Sequence, residues 1–467
     1  MRKTILLALA LVAFVAMPAM ASVQNVKVSG SIDSTWLMRN DFDLGMSVIG
    51  DEEQNLFITQ TMVMVDADLT DNVSTTVCLI NERAWTQKEA SVGSDIDLHL
   101  AYVTLREMLY SPLTVVAGRQ AFHYGNSFIV DAAGTNNSAP TDSGIALIAG
   151  DLTKQTAQDA IRLIFDYEPL SVELLFAKIN SRTNAAVNDD DDDVDLYGIN
   201  AGYEVGDSMN TQVEAYFFAK TDKLNQAVDD NSKSDTVYVP GLRASTNPIE
   251  GLNVQAEVAW QRGNRVASTA AAILGGVSNV ERREAMATQV IASYQVPVLE
   301  EYKPILAYVY TYVSGDSNPD DRAAVTEASR NVYTGWDPMY ENQAGGTIYN
   351  TLFNLTNAHI HTVSAQVNPI EDVTTKVSWT NLGLDKKIHS DTVLNTLVQP
   401  DGTASSAYAF NAGEEEIGNE VDVVLTYDYT EDVQFGANFG WFMPGDLFTG
   451  ANDQVATQTI VHGNVNF

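Results

Sequence analysis

One cysteine, Cys78, stands in a chain of 467 residues, so neither an intrachain disulfide framework nor a multi-cysteine zinc site can hold this fold together. Basic residues are scarce: 26 Lys and Arg face 61 Asp and Glu, a formal charge of −35. A phosphate backbone is bound by clustered Lys and Arg that displace its counterions, which excludes nucleic acid as a partner. Long apolar runs are missing as well. Past the N-terminus no stretch has eighteen consecutive apolar residues, so transmembrane helices are excluded. Enzyme signatures are absent too: there is no Gly-x-Ser-x-Gly elbow, no His-Glu-x-x-His and no Walker loop, and the chain reads as a non-enzyme. With 45% hydrophobic residues and only 30 Gly and 13 Pro, neither wholesale disorder nor a collagen-like repeat fits.

The N-terminus carries Arg2 and Lys3, the apolar run Ile5 to Ala16, and then Ala19-Met20-Ala21, the small-x-small pattern of a secretory signal peptide. Cleavage after residue 21 puts Ser22 first, with no lipid-accepting cysteine, and leaves 22–467 as a single exported domain.

Along that domain, stretches of about ten residues rich in Val, Tyr, Thr and Phe alternate apolar with polar positions, the period of a strand. Eighteen stretches can be counted, from 24–38 through 112–120, 160–168 and 210–220 to 455–467. Their connections alternate short and long. The short ones carry turn chemistry, as at Asp71-Asn72, Glu168-Pro169, Gly206-Asp207, Asn247-Pro248, Asn368-Pro369 and Glu431-Asp432. The long ones include 121–159, 263–282, 315–356 and 383–417. Such sorting predicts an all-β, antiparallel transmembrane barrel of about eighteen strands, with short periplasmic turns and long extracellular loops, in a bacterial outer membrane. Lipid and lipopolysaccharide are then its surroundings.

Alternation also assigns faces. In 418–429, Val421, Val423, Leu425, Tyr427 and Tyr429 take one side, opposite Asp422, Thr426 and Asp428; in 252–262, Val254, Ala256, Val258 and Trp260 oppose Asn253, Gln255, Glu257 and Gln261. Five of the six tryptophans, Trp36, Trp85, Trp260, Trp379 and Trp441, fall near one end of their strands, and Tyr167, Tyr203, Tyr294 and Tyr427 near the other, as two interfacial girdles would require.

Several segments stand out: YVSGDSNPDD at 312–321, followed by Trp336-Asp337-Pro338; the Gly-x-Glu-x-Asp opening and Phe-x-Pro-Gly exit of 417–448; AGRQ at 117–120; the Arg162 strand; DLYGINAGY at 195–203; and AWQRG at 259–263. In these the chain resembles the bacterial alginate-export outer-membrane barrel family. The resemblance covers roughly 112–467 and implies an eighteen-stranded barrel. Its namesake members pass an anionic polysaccharide through a pore lined by basic residues, which implies Arg119 and Arg162 as pore-lining here.

By parity the basic lumen candidates are Lys27, Arg39, Arg162, Arg243 and Lys376, with Arg119 added although both faces of its strand are apolar. Against these six stand nine carboxylates: Asp33, Asp66, Asp68, Asp166, Glu173, Glu214, Glu257, Asp422 and Asp428. The bland reading pairs most of them across the wall. The sharper one selects Arg119, Arg162, Arg243, Asp166, Glu214 and Glu257 as pore-lining and selectivity residues, because an arginine fork in a constriction holds carboxylate- or hydroxyl-bearing solutes. No cofactor is expected. Acidic loops offer only weak calcium chemistry: the run Asp189 to Asp193, and Asp316, Asn318 and Asp320, whose spacing matches the first ligands of a calcium loop but lacks its Gly and distal Glu. His359 and His361 share a strand face, as interfacial side chains or a metal pair.

These features predict a passive channel for small hydrophilic solutes or saccharides, narrowed by inward-folded loops, chiefly 121–159 and secondarily 315–356. A dedicated alginate-like polysaccharide export channel, and a structural or adhesive barrel acting through acidic loops, are the alternatives.

Overall fold

The structure, a computed structural model, describes residues 25–45, 53–85, 96–131, 145, 149–181, 193–226, 233–266, 280–316, 332–343, 346–387, 408, 410–411, 413–450 and 452–467. The expected signal peptide, the acidic run up to residue 192, and Asn318 and Asp320 lie outside these residues.

The described chain is nearly all strand. In order, the wall is built of β1 (Asn25–Asn40), β2 (Gln54–Thr70), β3 (Val73–Ala84), β4 (Asp97–Leu105), β5 (Leu113–Gln120), β6 (Gln158–Asp166), β7 (Leu170–Ser181), β8 (Asp193–Glu204) and β9 (Gln212–Gln226). It continues with β10 (Ser234–Ile249), β11 (Leu252–Val266), β12 (Val280–Gln295), β13 (Ile305–Val313), β14 (Ala358–Ile370), β15 (Val373–Leu384), β16 (Glu416–Asp428), β17 (Val433–Pro444) and β18 (Ala456–Asn466). Each strand pairs antiparallel with its sequence neighbour, and β1 pairs with both β2 and β18, from Ser31 opposite Asn466 to Asn40 opposite Thr457. The sheet therefore closes, and no wall strand is left with an unpaired edge in a medium that could not satisfy it. A two-residue segment, Val332–Tyr333, pairs parallel with β12 from within a loop and is not part of the wall.

The faces follow the alternation. On β16, Leu425 and Tyr427 are exposed on the outside, whereas Glu420 and Asp422 are buried within. Trp36, Phe57 and Trp85 stack on one another across β1–β3 at the long-loop end. Tyr427, Tyr429 and Phe435 cluster at the short-turn end. Amphipathic rings at both ends of an apolar band fit the two membrane interfaces.

The inside is not an open bore. Many inward residues of β6–β13 in the upper half are small or apolar: Ala160, Ala177, Val237, Val239, Ala259, Ala285, Ala287 and Val313 are all buried. They pack against Phe122, Tyr124, Phe128, Ile129, Val130, Trp336, Met339, Ile348, Tyr349, Leu352 and Phe353, which come from the β5–β6 and β13–β14 connections. Both loops expected to fold inward do so in their described parts. Burying this apolar set at about 25 cal/mol per Å² is what draws them off the extracellular surface.

Candidate functional site

The two inserted loops are joined to each other. Asp131 N donates to Tyr340 O at 2.7 Å, Tyr340 N to Ile129 O at 3.1 Å and Asn342 N to Ser127 O at 2.8 Å, a short ladder that makes one plug of two segments. Backbone polar groups inside a barrel must find partners, and here they find one another.

Charged and amide side chains of the wall clasp this plug. Lys220 of β9 donates to both carboxylate oxygens of Asp337 at 2.9 and 3.0 Å, and Arg283 of β12 lies 3.6 Å from the same carboxylate. Gln261 of β11 grips the backbone of Asp337 from both sides, accepting from its N–H at 2.8 Å and donating to its carbonyl at 2.6 Å. Burial alone would raise the Asp337 carboxyl, but Lys220 and Arg283 outweigh it and hold it at about 2. On the opposite wall, Glu420 of β16 accepts the N–H groups of Thr347, Ile348 and Tyr349 at 2.6, 2.9 and 2.7 Å, and so caps the helical turn Tyr349–Leu352 of the second loop. Arg39 of β1 holds Asp151 of the first loop through two bonds of 3.1 and 2.5 Å.

Between these clasps lie the residues expected to line the pore. Arg162 faces inward, as its alternation with Ile161 and Leu163 requires, and bonds Glu173 of β7 in a fork at 2.5 and 3.0 Å. Tyr124 of the first loop also bonds Glu173. Arg243 faces inward, bonds Glu214, and reaches Asn126 of the first loop and Gln255 at 2.9 Å each. Glu257 accepts the Tyr216 hydroxyl at 2.7 Å, a contact that depends on Gly241, where a Cβ would come within 2.3 Å of the Tyr216 ring. Asp166 opens onto a periplasmic-side cavity of about 780 Å³ that it lines with Glu204 and Glu214.

Arg119 departs from the expectation. Its register partners are Ala101 and Asp159; Asp159 shares its face with the exposed Ile161, and Ala101 pairs in turn with the exposed Val77. Cross-strand partners point the same way, so Arg119 stands on the outer face, 3.6 Å from Asp159, and does not line the lumen. Its removal leaves nine inward carboxylates against five inward cations in the set read from the sequence.

The weak metal candidates resolve differently. Asp316 accepts the backbone N–H of Thr334 at 2.9 Å and thereby anchors the second loop. His359 and His361 stand on the outer face, where Tyr310 and Tyr308 bond their Nδ1 atoms at 2.9 Å each and the rings stack. Among the described residues no group of three His, Cys, Asp or Glu side chains is placed to hold a metal ion.

Sequence reasoning missed the plug contacts of Lys220, Gln261, Arg283, Asp151 and Glu420. A signal was present: Ala285 and Ala287 hold successive inward positions of β12, with Ala259 of β11 opposite Ala287, where a water-filled pore would carry polar residues.

Comparison with known proteins agrees with this architecture. The family described as "Alginate export" matches residues 26–462. No curated protein sequence matches the chain. Among solved structures, OccAB1 of Acinetobacter baumannii superposes with a TM-score of 0.56 at 10% identity, covering 96% of this chain and 98% of that one. OccK2 (OpdF) of Pseudomonas aeruginosa, in complex with glucuronate, gives 0.54 at 12% identity, over 95% and 99%. OccD3 (OpdP) of the same organism gives 0.54 at 11%, over 95% and 92%. At such identities the likeness is one of fold.

Proposed function

The chain belongs to the alginate export family and is an outer-membrane β-barrel channel; we propose that its cargo is a small hydrophilic solute, neutral or cationic, rather than an anionic polysaccharide. The observation that carries this reading is the pairing of the lumen charges. Arg39, Arg162 and Arg243 are each held by a carboxylate, so the arginines that would attract a polyanion present no free charge. At the periplasmic mouth the balance is reversed. Asp66, Asp68, Asp166 and Asp428 face inward near the short turns and make no ion pair with the described residues. Fixed charge in a confined path acts on a passing ion at close range, while loop charges beyond about 8 Å are screened at physiological ionic strength.

A plug clasped from both walls also suits small solutes. A polymer needs a continuous wide bore, and here two loops cross it. Liposome swelling with neutral, cationic and anionic sugars of similar size tests the reading: faster entry of neutral and cationic sugars is expected, and preferential entry of the anionic sugar would support polysaccharide export instead.

A further inference from the structure

The plug leaves a cavity of about 320 Å³ between the wall made by β15–β18 and both of its loops, the first contributing Leu152 and Asp151, whose charge Arg39 holds. That is room for one small molecule. Two of its lining side chains carry opposite charges and do not pair. Lys376 of β15 is exposed to the cavity and makes no ion pair with any described residue. Asp422 of β16 is buried, accepts the hydroxyls of Thr347 at 2.6 Å and Ser378 at 3.5 Å, shares a hydrogen bond with the Glu420 carboxyl, and likewise has no cation among the described residues. Val424 is the register partner of Lys376, and Asp422 lies two residues from it, so the charges occupy diagonal positions on one face, roughly 7–8 Å apart at the backbone. Thr347 turns the carboxylate toward the plug, and the ammonium is left facing water.

We propose that Lys376 and Asp422 form a subsite for a compact zwitterion, the solute's carboxylate meeting the Lys376 ammonium and its own cationic group meeting Asp422. The inference rests on the small-solute reading above and names the class of solute that this part of the path holds. Charge selection at the two ends of the path agrees with it: a bare monoanion is opposed by the carboxylates at the mouth, and a bare cation gains nothing from Lys376. A molecule with both groups is compatible with each. Each charge-assisted bond formed across the cavity lengthens the stay of such a solute relative to a neutral molecule of its size. Asn350 and Asn438, which also line the cavity, supply amide groups for the remainder of the solute.

Single-channel recording of the full-length protein in planar bilayers tests this, with 4-aminobutyrate as the zwitterion and erythritol as the neutral four-carbon control. Potassium current through the wild-type channel is expected to show interruptions with 4-aminobutyrate and none with erythritol. Lys376→Gln should shorten those interruptions about fivefold, an effect of about 1 kcal/mol, and Lys376→Arg should retain them. Asp422→Asn should shorten them too; should it fail to fold, the Lys376 pair decides alone. Interruptions unchanged in Lys376→Gln, or equal with erythritol, would overturn the subsite while leaving the channel intact. A folded wild-type protein that conducts no potassium at all would overturn the channel reading, and the subsite with it.

Discussion

Arg162 meets Glu173 through two parallel hydrogen bonds, Nε to Oε1 at 2.5 Å and Nη2 to Oε2 at 3.0 Å, with both side chains largely removed from solvent. A fork-to-fork pair of this kind is electrically closed. The arginine lies in the lumen where alternation places it, but its field is cancelled by its neighbour. Replacing Arg162 alone with Gln leaves Glu173 uncompensated, so the reversal potential should move toward cations and thermal stability should fall by about 3–5 kcal/mol. In the double variant Arg162→Gln, Glu173→Gln the reversal potential should return close to that of the wild type. A double variant as cation-shifted as the single one would show that Arg162 acts on the passing ion directly.

Asp337 ties the second loop to Lys220, Arg283 and Gln261 at once. Asp337→Ala strands the largely buried Lys220 without its counter-charge, while Arg283 keeps Asp235 at 2.8 Å, a loss of about 3–5 kcal/mol that falls on the plug and not on the hydrogen-bonded wall. Conductance should rise and become noisy while the heat-resistant barrel persists on gels. Quiet current at wild-type amplitude would mean that the other clasps suffice.

Glu341 sits within the plug, and burial pushes its carboxyl up from 4.5 to about 7, with the Gln343 N–H opposing the rise and Asp131 adding to it. The proton is held more tightly when the loop is docked than when it is free in water. Docking is therefore unimpaired below about pH 4.5, weakens as pH rises from there, and carries its full penalty of about 3 kcal/mol above pH 7. Open-state fluctuations should increase between pH 5 and pH 7.5 in the wild type and stay level in Glu341→Gln. Equal pH dependence in both proteins would assign the effect to another group.

Arg119 pairs with Asp159 on the outer face. Arg119→Gln should leave the reversal potential where it was, and a cysteine at 119 should react with a lipid-soluble maleimide but not protect against channel block by a charged reagent in the lumen. A changed reversal potential would return Arg119 to the pore.

How far the sequence carried the fold depends on where the two faces differ. On β16 one face is Val, Leu and Tyr against the other's carboxylates, and the strand and its orientation were plain. On β5 both faces are apolar, and only the partners Ala101 and Asp159 settle that Arg119 points out. Strand β9 was expected to end at residue 220 and continues to Gln226, because Thr221, Asp222 and Lys223 carry no apolar face to mark them. The site was half legible. Gln261, Asp337, Glu420 and Asp422 all stood in segments that resembled the family, yet nothing in their spacing says that Gln261, Glu420 and Asp422 grip a loop, Asp337 included, from 70 or more residues away. Long-range clasps leave no local period. What they do leave is a patch of inward alanines, Ala259, Ala285 and Ala287, which reports that something packs there without naming it.

On the proposed function, carboxylates at the mouth that make no ion pair with the described residues, and not the neutralised arginines of the lumen, govern which charge passes. The reversal potential of the purified wild-type channel in a tenfold gradient of potassium chloride measures this directly. A potential of the sign set by potassium permeating ahead of chloride is the expected result. A potential of the opposite sign, with chloride ahead, would contradict the account and restore the arginines as the selective element.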